Sequence, residues 1–337
     1  MSGSSGEQWI QIRRLCLTVL RSFGVGKSSF EERIGTEGEE LLKQMSAFDG
    51  KPFNPKPFFG SAVSNVISSV VFGWRYEYDD ENWTQLLASL SNVVRATGSG
   101  GFFLVFQGLA QRLPFIRSQH SKLRSDAVGA WNFIHNIINS HRDTFDPHNM
   151  RDFIDVYLNE LKKNNSGETA YTHLNETNMT KTVRDLFAAG SETTATTLEW
   201  CLLYMAIYPD IQQRVQAEID AVVGRNRLPR LADKPDLNFT LAVLWEIQRM
   251  TSIVPLGLPH VAASDVQFRG FSIPKGTTLV SNLWAIFRDP VVWPDPEKFR
   301  AERFLTEEGK AFRPDEFIPF GIGEYGLTRY QIKPFGT

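Results

Sequence analysis

The sequence predicts a mainly α-helical protein with a small β part near its C-terminal end. Long segments with apolar residues at helical spacing fill most of the chain, and strand character appears only after Pro259. Of its 337 residues, 42% are hydrophobic, which is enough for a sizeable core and excludes global disorder. The 36 basic and 38 acidic residues nearly cancel, so we do not expect a nucleic-acid partner.

The helical spacing places the elements one by one along the chain. Helices are predicted over residues 9–23, 58–72, 81–96, 121–145, 150–163, 178–208, 210–223 and 238–250, with a further helix capped by Ser29. Short strands are predicted over residues 266–268, 271–273 and 277–280, with glycine and proline at the turns between them. No linker divides the chain, and no apolar run approaches the roughly 18–20 residues of a membrane span.

Two local features have more than one interpretation. Residues 102–106 and 113–116 are apolar in a predicted loop or short helices, which indicates either core packing or a ligand channel or membrane-facing patch. The two cysteines, Cys16 and Cys201, cannot form a disulfide framework, and both lie in apolar helical patterns where a thiol acts as a small hydrophobe. A reducing compartment is the simpler interpretation.

The central helix carries an unusual polar segment around Gly190. An acid, several threonines and a glycine are costly in an apolar helix unless they have partners. In one interpretation the threonine hydroxyls bond back to the preceding turn. In the other, the helix opens at Gly190 to admit a small ligand, and Glu192 and Thr193 supply an acid and a hydroxyl for proton delivery.

Further signals flank this helix. Glu246 and Arg249 lie three residues apart, on one helix face, among apolar residues that indicate burial. Trp9 and Arg13 also share a helix face, where they could clasp a carboxylate or phosphate or simply form a cation–π pair. A turn-rich aromatic run follows at residues 293–304, and an apolar segment leads into a glycine loop at residues 317–323.

In their order and spacing these signals resemble the cytochrome P-450 family of haem-thiolate monooxygenases, and most closely its microsomal animal branch, family 2. The resemblance covers residues 6–323. It implies the α-rich prism fold of that family, here incomplete. Residues 7–323 are expected to form one partial domain, after a polar start at residues 1–6 and before a divergent tail at residues 324–337.

The resemblance implies a role for each matching residue. Glu192 and Thr193 match the catalytic acid–alcohol pair of the oxygen-activating helix segment. Glu246, Arg249 and Arg303 match the structural glutamate and its two arginines. Seven residues match haem-contacting positions: Trp9, Arg13, Ala189, Gly190, His260, Phe320 and Gly323. Of these, Trp9, Arg13 and His260 match residues that bind the haem propionates.

The chain departs from the family at the haem loop, which reads Phe-x-x-Gly-x-Arg-x-Cys-x-Gly. Phe320 and Gly323 fit, but Tyr325 stands in the arginine place and Leu327 in the cysteine place. No cysteine follows Cys201, so no metal ligand is assigned. We also expect the chain to lack the helix that follows the loop, the N-terminal anchor and the first helices of the family.

The function implied by the resemblance is insertion of one oxygen atom from O2 into an apolar organic substrate. Haem is the implied cofactor, and NADPH supplies electrons through a flavoprotein reductase at the cytosolic face of the endoplasmic reticulum membrane. Because a thiolate is needed to favour O–O cleavage, we expect this chain to be impaired. The alternative is a non-catalytic chain that binds a reductase or a full-length relative, and peripheral contact with a membrane is compatible with both.

Overall fold

The computed structural model describes residues 4–98 and 114–321. The chain divides into two compact units, Met1–Glu199 and Trp200–Thr337. Residues 102–106 and Leu113, for which the sequence left core packing and a ligand channel open, lie outside the described residues.

The first unit is built from helices only, within the residues described. They are α1 (Gly6–Ser22), a 3-10 turn (Ser28–Phe30), α2 (Glu31–Ser46), α3 (Lys56–Val71), α4 (Glu81–Gly98), α5 (Pro114–Asp143), α6 (Phe153–Asn165) and α7 (Glu176–Ile207), whose last turns belong to the second unit. The predicted cap at Ser29 is wrong, because Ser29 lies inside the 3-10 turn and α2 begins after Phe30. Helix α5 begins seven residues earlier than predicted, at Pro114, because proline is well suited to the first helical position.

Aromatic and aliphatic side chains from these helices form one core. Trp83, Phe72 and Phe187 are fully buried, and the ring of Phe187 lies 4.9 Å from that of Phe72 and 5.6 Å from that of Trp83. Cys16 is buried in the same core, as predicted for a small hydrophobe. Full burial of such rings is worth about 1.5–3 kcal/mol each, so this core holds α1, α3, α4 and α7 together.

A buried ion pair joins the end of α5 to the start of α6. The Nε2 atom of His141 lies 2.8 Å from Oδ2 of Asp152, and both side chains are 1% exposed. Asp152 also caps α6, because its Oδ1 accepts the backbone N–H of Asp155 at 3.0 Å. Gly73 approaches so closely that a Cβ there would lie 2.5 Å from Asp152. His141, Asp152 and Asp155 could together offer ligands to a metal, but Arg151 already holds the Asp155 carboxylate with three hydrogen bonds.

The second unit combines helices with two small hairpins. Its elements are α8 (Pro209–Val222), a 3-10 turn (Leu231–Asp236), α9 (Asn238–Thr251), β1 (His260–Val261), β2 (Val266–Phe268), β3 (Phe271–Ile273), β4 (Thr278–Leu279), α10 (Leu283–Ile286) and a 3-10 turn (Ala301–Phe304). Strands β2 and β3 pair antiparallel, and so do β1 and β4. The strand at β1 was not predicted, because two residues are too few for an alternating pattern.

A separate aromatic core stabilises the second unit. Phe304 is fully buried, and its ring lies 5.7 Å from Trp293 and 5.0 Å from Phe317 in an edge-to-face arrangement. Phe287 is also buried and lies 5.7 Å from Phe317. These rings come from the irregular segment between α10 and residue 321, so aromatic packing fixes a region that has little regular structure.

The prediction of a mainly α-helical chain with a small β part is confirmed. Among the described residues, no helix is both long enough and apolar enough to cross a membrane. The organisation of residues 7–323 as a single domain remains a prediction.

The ion pair of His141 makes the stability of the first unit depend on pH. Burial alone would lower the pKa of His141, but the hydrogen bond and charge of Asp152 outweigh it and raise that pKa. A raised pKa in the folded state means that the pair stabilises the fold fully below the unfolded pKa of about 6.5, and less as pH rises through the folded pKa. Urea unfolding should therefore give a free energy of unfolding that is highest below about pH 6.5 and falls as the pH rises above it.

The matched variant is His141→Gln, which keeps a donor but cannot be protonated. We expect its free energy of unfolding to be lower at about pH 6 and to change less with pH. Hydrogen bonds from Arg151 outweigh the effect of burial and lower the pKa of Asp155. Protonation of Asp155 therefore changes the free energy of unfolding only at more acidic pH. Equal pH dependence in the variant and the wild type would contradict the prediction.

Candidate functional site

The polar segment of α7 is an unbroken helix. The Thr193 hydroxyl donates to the Ala189 carbonyl at 2.7 Å, and the Thr197 hydroxyl donates to the Thr193 carbonyl at 2.8 Å. Of the two interpretations of the sequence, the structure has the one in which threonines bond back to the preceding turn. The helix is not opened at Gly190, so that part of the alternative interpretation is wrong for this structure.

Gly190 is a point of close contact between α7 and α3. A Cβ at this position would lie 2.8 Å from both Cγ1 and Cδ1 of Ile67. Real side chains do not approach so closely, and therefore only glycine fits without movement of its neighbour. The glycine that the sequence suggested as a place for a ligand is, in this structure, a packing position.

The acid of the segment has a partner on α4. The Ser91 hydroxyl donates to Oε1 of Glu192 at 3.0 Å, and both side chains are half-buried. Burial raises the pKa of Glu199, two turns further along α7. The nearby charges of Lys56 and Arg95 oppose this rise, whereas the charge of Glu192 adds to it. The carboxylates of α7 therefore lie in a partly desolvated region with two cations nearby.

Trp9 and Arg13 lie on one face of α1, as their spacing predicts. The guanidinium carbon of Arg13 is 5.2 Å from the centre of the Trp9 ring, which is a cation–π contact. Both residues are half-buried. Their role at a haem propionate remains a prediction.

In the second unit, Glu246 and Arg249 form a completely buried ion pair. Arg249 donates from Nε to Oε2 of Glu246 at 2.7 Å and from Nη2 to Oε1 at 2.9 Å. Both side chains are 0% exposed. Arg249 also donates to the carbonyls of Phe287 at 2.7 Å and Pro296 at 2.9 Å, which meets the demand of a buried arginine for several acceptors.

Arg303 completes this cluster. Its Nε lies 3.4 Å from Oε1 of Glu246, and the side chain is 4% exposed. Burial lowers the pKa of Arg303, and the charges of Arg249 and Arg300 add to that effect, while the charge of Glu246 opposes it. The backbone N–H of Arg300 donates to Glu246 at 2.9 Å, so one carboxylate serves three arginine residues.

A further glutamate, Glu218 on α8, holds the start of α9. Its carboxylate accepts the backbone N–H groups of Phe239 at 2.8 Å and Thr240 at 2.7 Å. These groups have no partner within the helix, and a negative charge at a helix N-terminus is favourable. Glu218 therefore anchors the helix that carries Glu246 and Arg249.

The other predicted haem-contacting residues are less enclosed. His260 is exposed at the start of β1, and Phe320 is 58% exposed. Gly323, Tyr325 and Leu327 lie outside the described residues.

Comparison with known proteins decides the family, because the family model described as Cytochrome P450 matches residues 1–325. The chain belongs to the cytochrome P450 family. It is 42% identical to Cytochrome P450 2J2 of Homo sapiens over 331 residues, which cover 98% of this chain and 65% of the relative. It is 38% identical to Cytochrome P450 2U1 of Bos taurus, covering 95% of this chain and 58% of the relative.

A third relative is Cytochrome P450 2B19 of Mus musculus, which is 38% identical and matches 99% of this chain and 68% of its own length. The resemblance to family 2 of the cytochrome P450 proteins is therefore confirmed. The chain spans between 58% and 68% of the length of these three relatives.

The structure brings two groups of predicted residues together. Gly190, Glu192 and Thr193 follow one another on α7, and Glu246, Arg249 and Arg303 form one buried cluster. Sequence reasoning missed Ile67 and Ser91, which contact Gly190 and Glu192, and Glu218, which holds the start of the helix that carries Glu246 and Arg249. An ordinary serine, isoleucine or glutamate on an amphipathic helix carries no local signal that it contacts a distant segment.

Neither cysteine of this cytochrome P450 chain fits a thiolate ligand to haem iron. Burial raises the pKa of Cys16 to about 12 and that of Cys201 to about 11. In the chain without a metal both are therefore thiols at neutral pH, and neither lies in the segment that matches the haem loop of the family. The chain has two cysteines in all, so the residues present do not fit a haem bound through sulfur.

The contact at Gly190 predicts an unusual effect of alanine. Glycine to alanine inside a helix normally stabilises it by about 1 kcal/mol. Gly129→Ala on α5, where nothing lies within 4 Å of the new Cβ, is expected to show this gain. Gly190→Ala is expected instead to lower the free energy of unfolding by about 1–3 kcal/mol, because of overpacking against Ile67.

Chemical denaturation of both single variants measures the contrast. Adding Ile67→Val, which removes the Cδ1 atom, should recover part of the loss in Gly190→Ala. A stabilising effect of Gly190→Ala equal to that of Gly129→Ala would show that the close contact is wrong.

The buried pair predicts that lysine cannot replace Arg249. Lysine has no planar fork, and so it cannot serve both oxygens of Glu246 and the carbonyls of Phe287 and Pro296. Arg249→Lys is expected to lower the free energy of unfolding by roughly 3 kcal/mol, measured by urea denaturation. The matched control is Arg225→Lys in an exposed pair with Asp220, which should change stability little. Similar effects of the two lysine variants would contradict the prediction.

Proposed function

We propose that this chain derives from a monooxygenase that inserts one oxygen atom from O2 into an apolar organic substrate, and that the chain itself does not activate oxygen. The observation that carries the second part is the absence of a possible thiolate. Leu327 stands where the family has its cysteine, Cys16 is a buried thiol and Cys201 is a half-buried one. Family membership supports the first part.

Haem is the cofactor that the family implies, with NADPH as the electron source through a flavoprotein reductase. When bound through a thiolate, haem supplies the O–O cleavage chemistry. In this chain Leu327 stands in the place of that thiolate ligand. Residues that match haem-contacting positions remain as candidates for non-covalent contacts, namely Trp9, Arg13, Ala189, Gly190, His260, Phe320 and Gly323.

The proton-handling residues of the proposed ancestral site are Glu192 and Thr193. A carboxylate and a hydroxyl beside each other can accept and pass on a proton. Glu192 is half-buried with a hydroxyl donor, and Thr193 keeps its oxygen free to accept a further hydrogen bond while its proton is donated to Ala189. Glu246, Arg249 and Arg303 have a structural role in this proposal, since all three are buried away from solvent.

The proposed place of action is the cytosolic face of the endoplasmic reticulum membrane, as for the family. The reductase and an apolar small molecule are the proposed partners, together with peripheral membrane contact. A net charge of −2 gives no support to nucleic-acid binding.

A second candidate is a non-catalytic chain that binds a flavoprotein reductase or a full-length relative. The observation that favours it is the packing of the second unit, whose aromatic core and buried ion cluster are complete within the chain's own residues. A folded surface can bind a partner without any chemistry at a metal.

The test is a spectrum of the reduced chain with carbon monoxide, after expression with ample haem. We expect no Soret band of the thiolate type, because the chain lacks a sulfur ligand that can ionise at neutral pH. The Leu327→Cys variant, prepared in parallel, asks whether a thiolate at that position is enough to restore the band. A thiolate-type band in the unaltered chain would overturn the proposed inactivity. If no such band appears, co-purification with the reductase tests the second candidate. A chain that binds the reductase would co-purify with it, and a chain without a partner would not.

A further inference from the structure

The carboxylate of Glu192 is held from a helix that no sequence signal linked to it. The Ser91 hydroxyl on α4 donates to Glu192 Oε1 on α7 at 3.0 Å, across 101 residues of sequence. Both residues belong to the first unit and both are half-buried. A carboxylate in such surroundings needs a donor, because losing water without replacement is costly.

The hydroxyl next to Glu192 on its C-terminal side does not replace this donor. The Thr193 hydroxyl is already committed to the Ala189 carbonyl at 2.7 Å. Gly190 faces Ile67 of α3, and a residue two positions further on points about 200° around the helix axis. Glu192 therefore faces away from α3, toward α4, where Ser91 meets it.

The nature of the donor matters for a group that exchanges protons. Arginine donates charge-assisted hydrogen bonds to the carboxylates of Glu246 and Asp155, and for Asp155 these bonds lower the pKa. Ser91 is neutral, and a hydrogen bond from a neutral donor is roughly half as strong. Such a donor can fix the direction of the Glu192 carboxylate without binding its charge permanently.

Charged residues also lie near the contact between Ser91 and Glu192. Glu199 lies two turns along α7, and its carboxylate feels both Glu192 and the cations Lys56 and Arg95. The hydrogen bond that reaches Glu192 itself comes from the Ser91 hydroxyl.

We propose that Ser91 is the positioning residue for Glu192, orienting its carboxylate within the acid–alcohol segment through a neutral hydrogen bond from α4. This inference deepens the proposed function, since it rests on Glu192 being the proton-handling acid of the ancestral site. The contact itself belongs to the folded chain and can be tested without haem, electrons or substrate.

The experiment follows the 13Cδ resonance of Glu192 in the full chain labelled with 13Cδ-glutamate, and Glu192→Gln assigns the signal by its disappearance. In Ser91→Ala we expect the resonance to move, because the carboxylate loses its donor. In Ser91→Thr, which keeps a hydroxyl, it should return toward the wild-type position. Ser91→Cys, nearly equal in size but a weak donor, should give an intermediate displacement even if the alanine variant does not fold.

The matched control is Thr84→Ala, which removes a hydroxyl from the same helix that donates to the Glu81 carbonyl and not to Glu192. It should leave the Glu192 resonance where it is. An unchanged resonance in both Ser91→Ala and Ser91→Cys would overturn the proposal, and so would a displacement in Thr84→Ala as large as that in Ser91→Ala. A thiolate-type carbon monoxide spectrum would contradict the proposed inactivity and leave this result untouched.

Discussion

The buried ion pair of Glu246 and Arg249 is the constraint around which the second unit is arranged. Removing two charges from water costs several kcal/mol each, and their mutual attraction offsets this only when every remaining donor and acceptor has a partner. Here the partners are the carbonyls of Phe287 and Pro296 and the backbone N–H of Arg300. All three belong to a segment of little regular structure, so the pair dictates the path of that segment, and the aromatic rings then fill the space beside it.

The first unit also provides partners for its buried charges, and the partner of Glu192 differs from the others. His141 and Asp152 are buried as a pair, and Arg151 neutralises Asp155, so each of these acids has a charged or protonatable partner. Glu192 is less buried, and among the described residues its side-chain hydrogen bond comes from the Ser91 hydroxyl. The charged pairs hold the fold together, whereas the Glu192 carboxylate is held by a neutral donor. The kind of partner that an acid has therefore distinguishes a structural role from a chemical one.

Much of the helical framework could be predicted from the sequence, because the periodic spacing of apolar residues within a segment indicates a helix. The bounds of β2 and β3 agree with the predicted residues 266–268 and 271–273, since glycine and proline mark their turns. The burial of the Glu246–Arg249 pair also followed from its apolar neighbours. The partners of the site did not: Ile67 and Ser91 meet α7 only after the chain has folded, and no pattern within one helix records a contact 101 residues away.

The separation between fold and chemistry explains why family motifs identify this chain without establishing its activity. Glu246 and Arg249 stabilise their unit through contacts with backbone atoms of the same unit, and none of these contacts requires a ligand at position 327. Gly190 is required by its contact with Ile67, whatever chemistry follows. Such residues persist in a folded chain for reasons of packing and desolvation alone. Evidence for activity must therefore come from residues that the fold itself does not require. In a cytochrome P450 the decisive residue is a cysteine that can ionise.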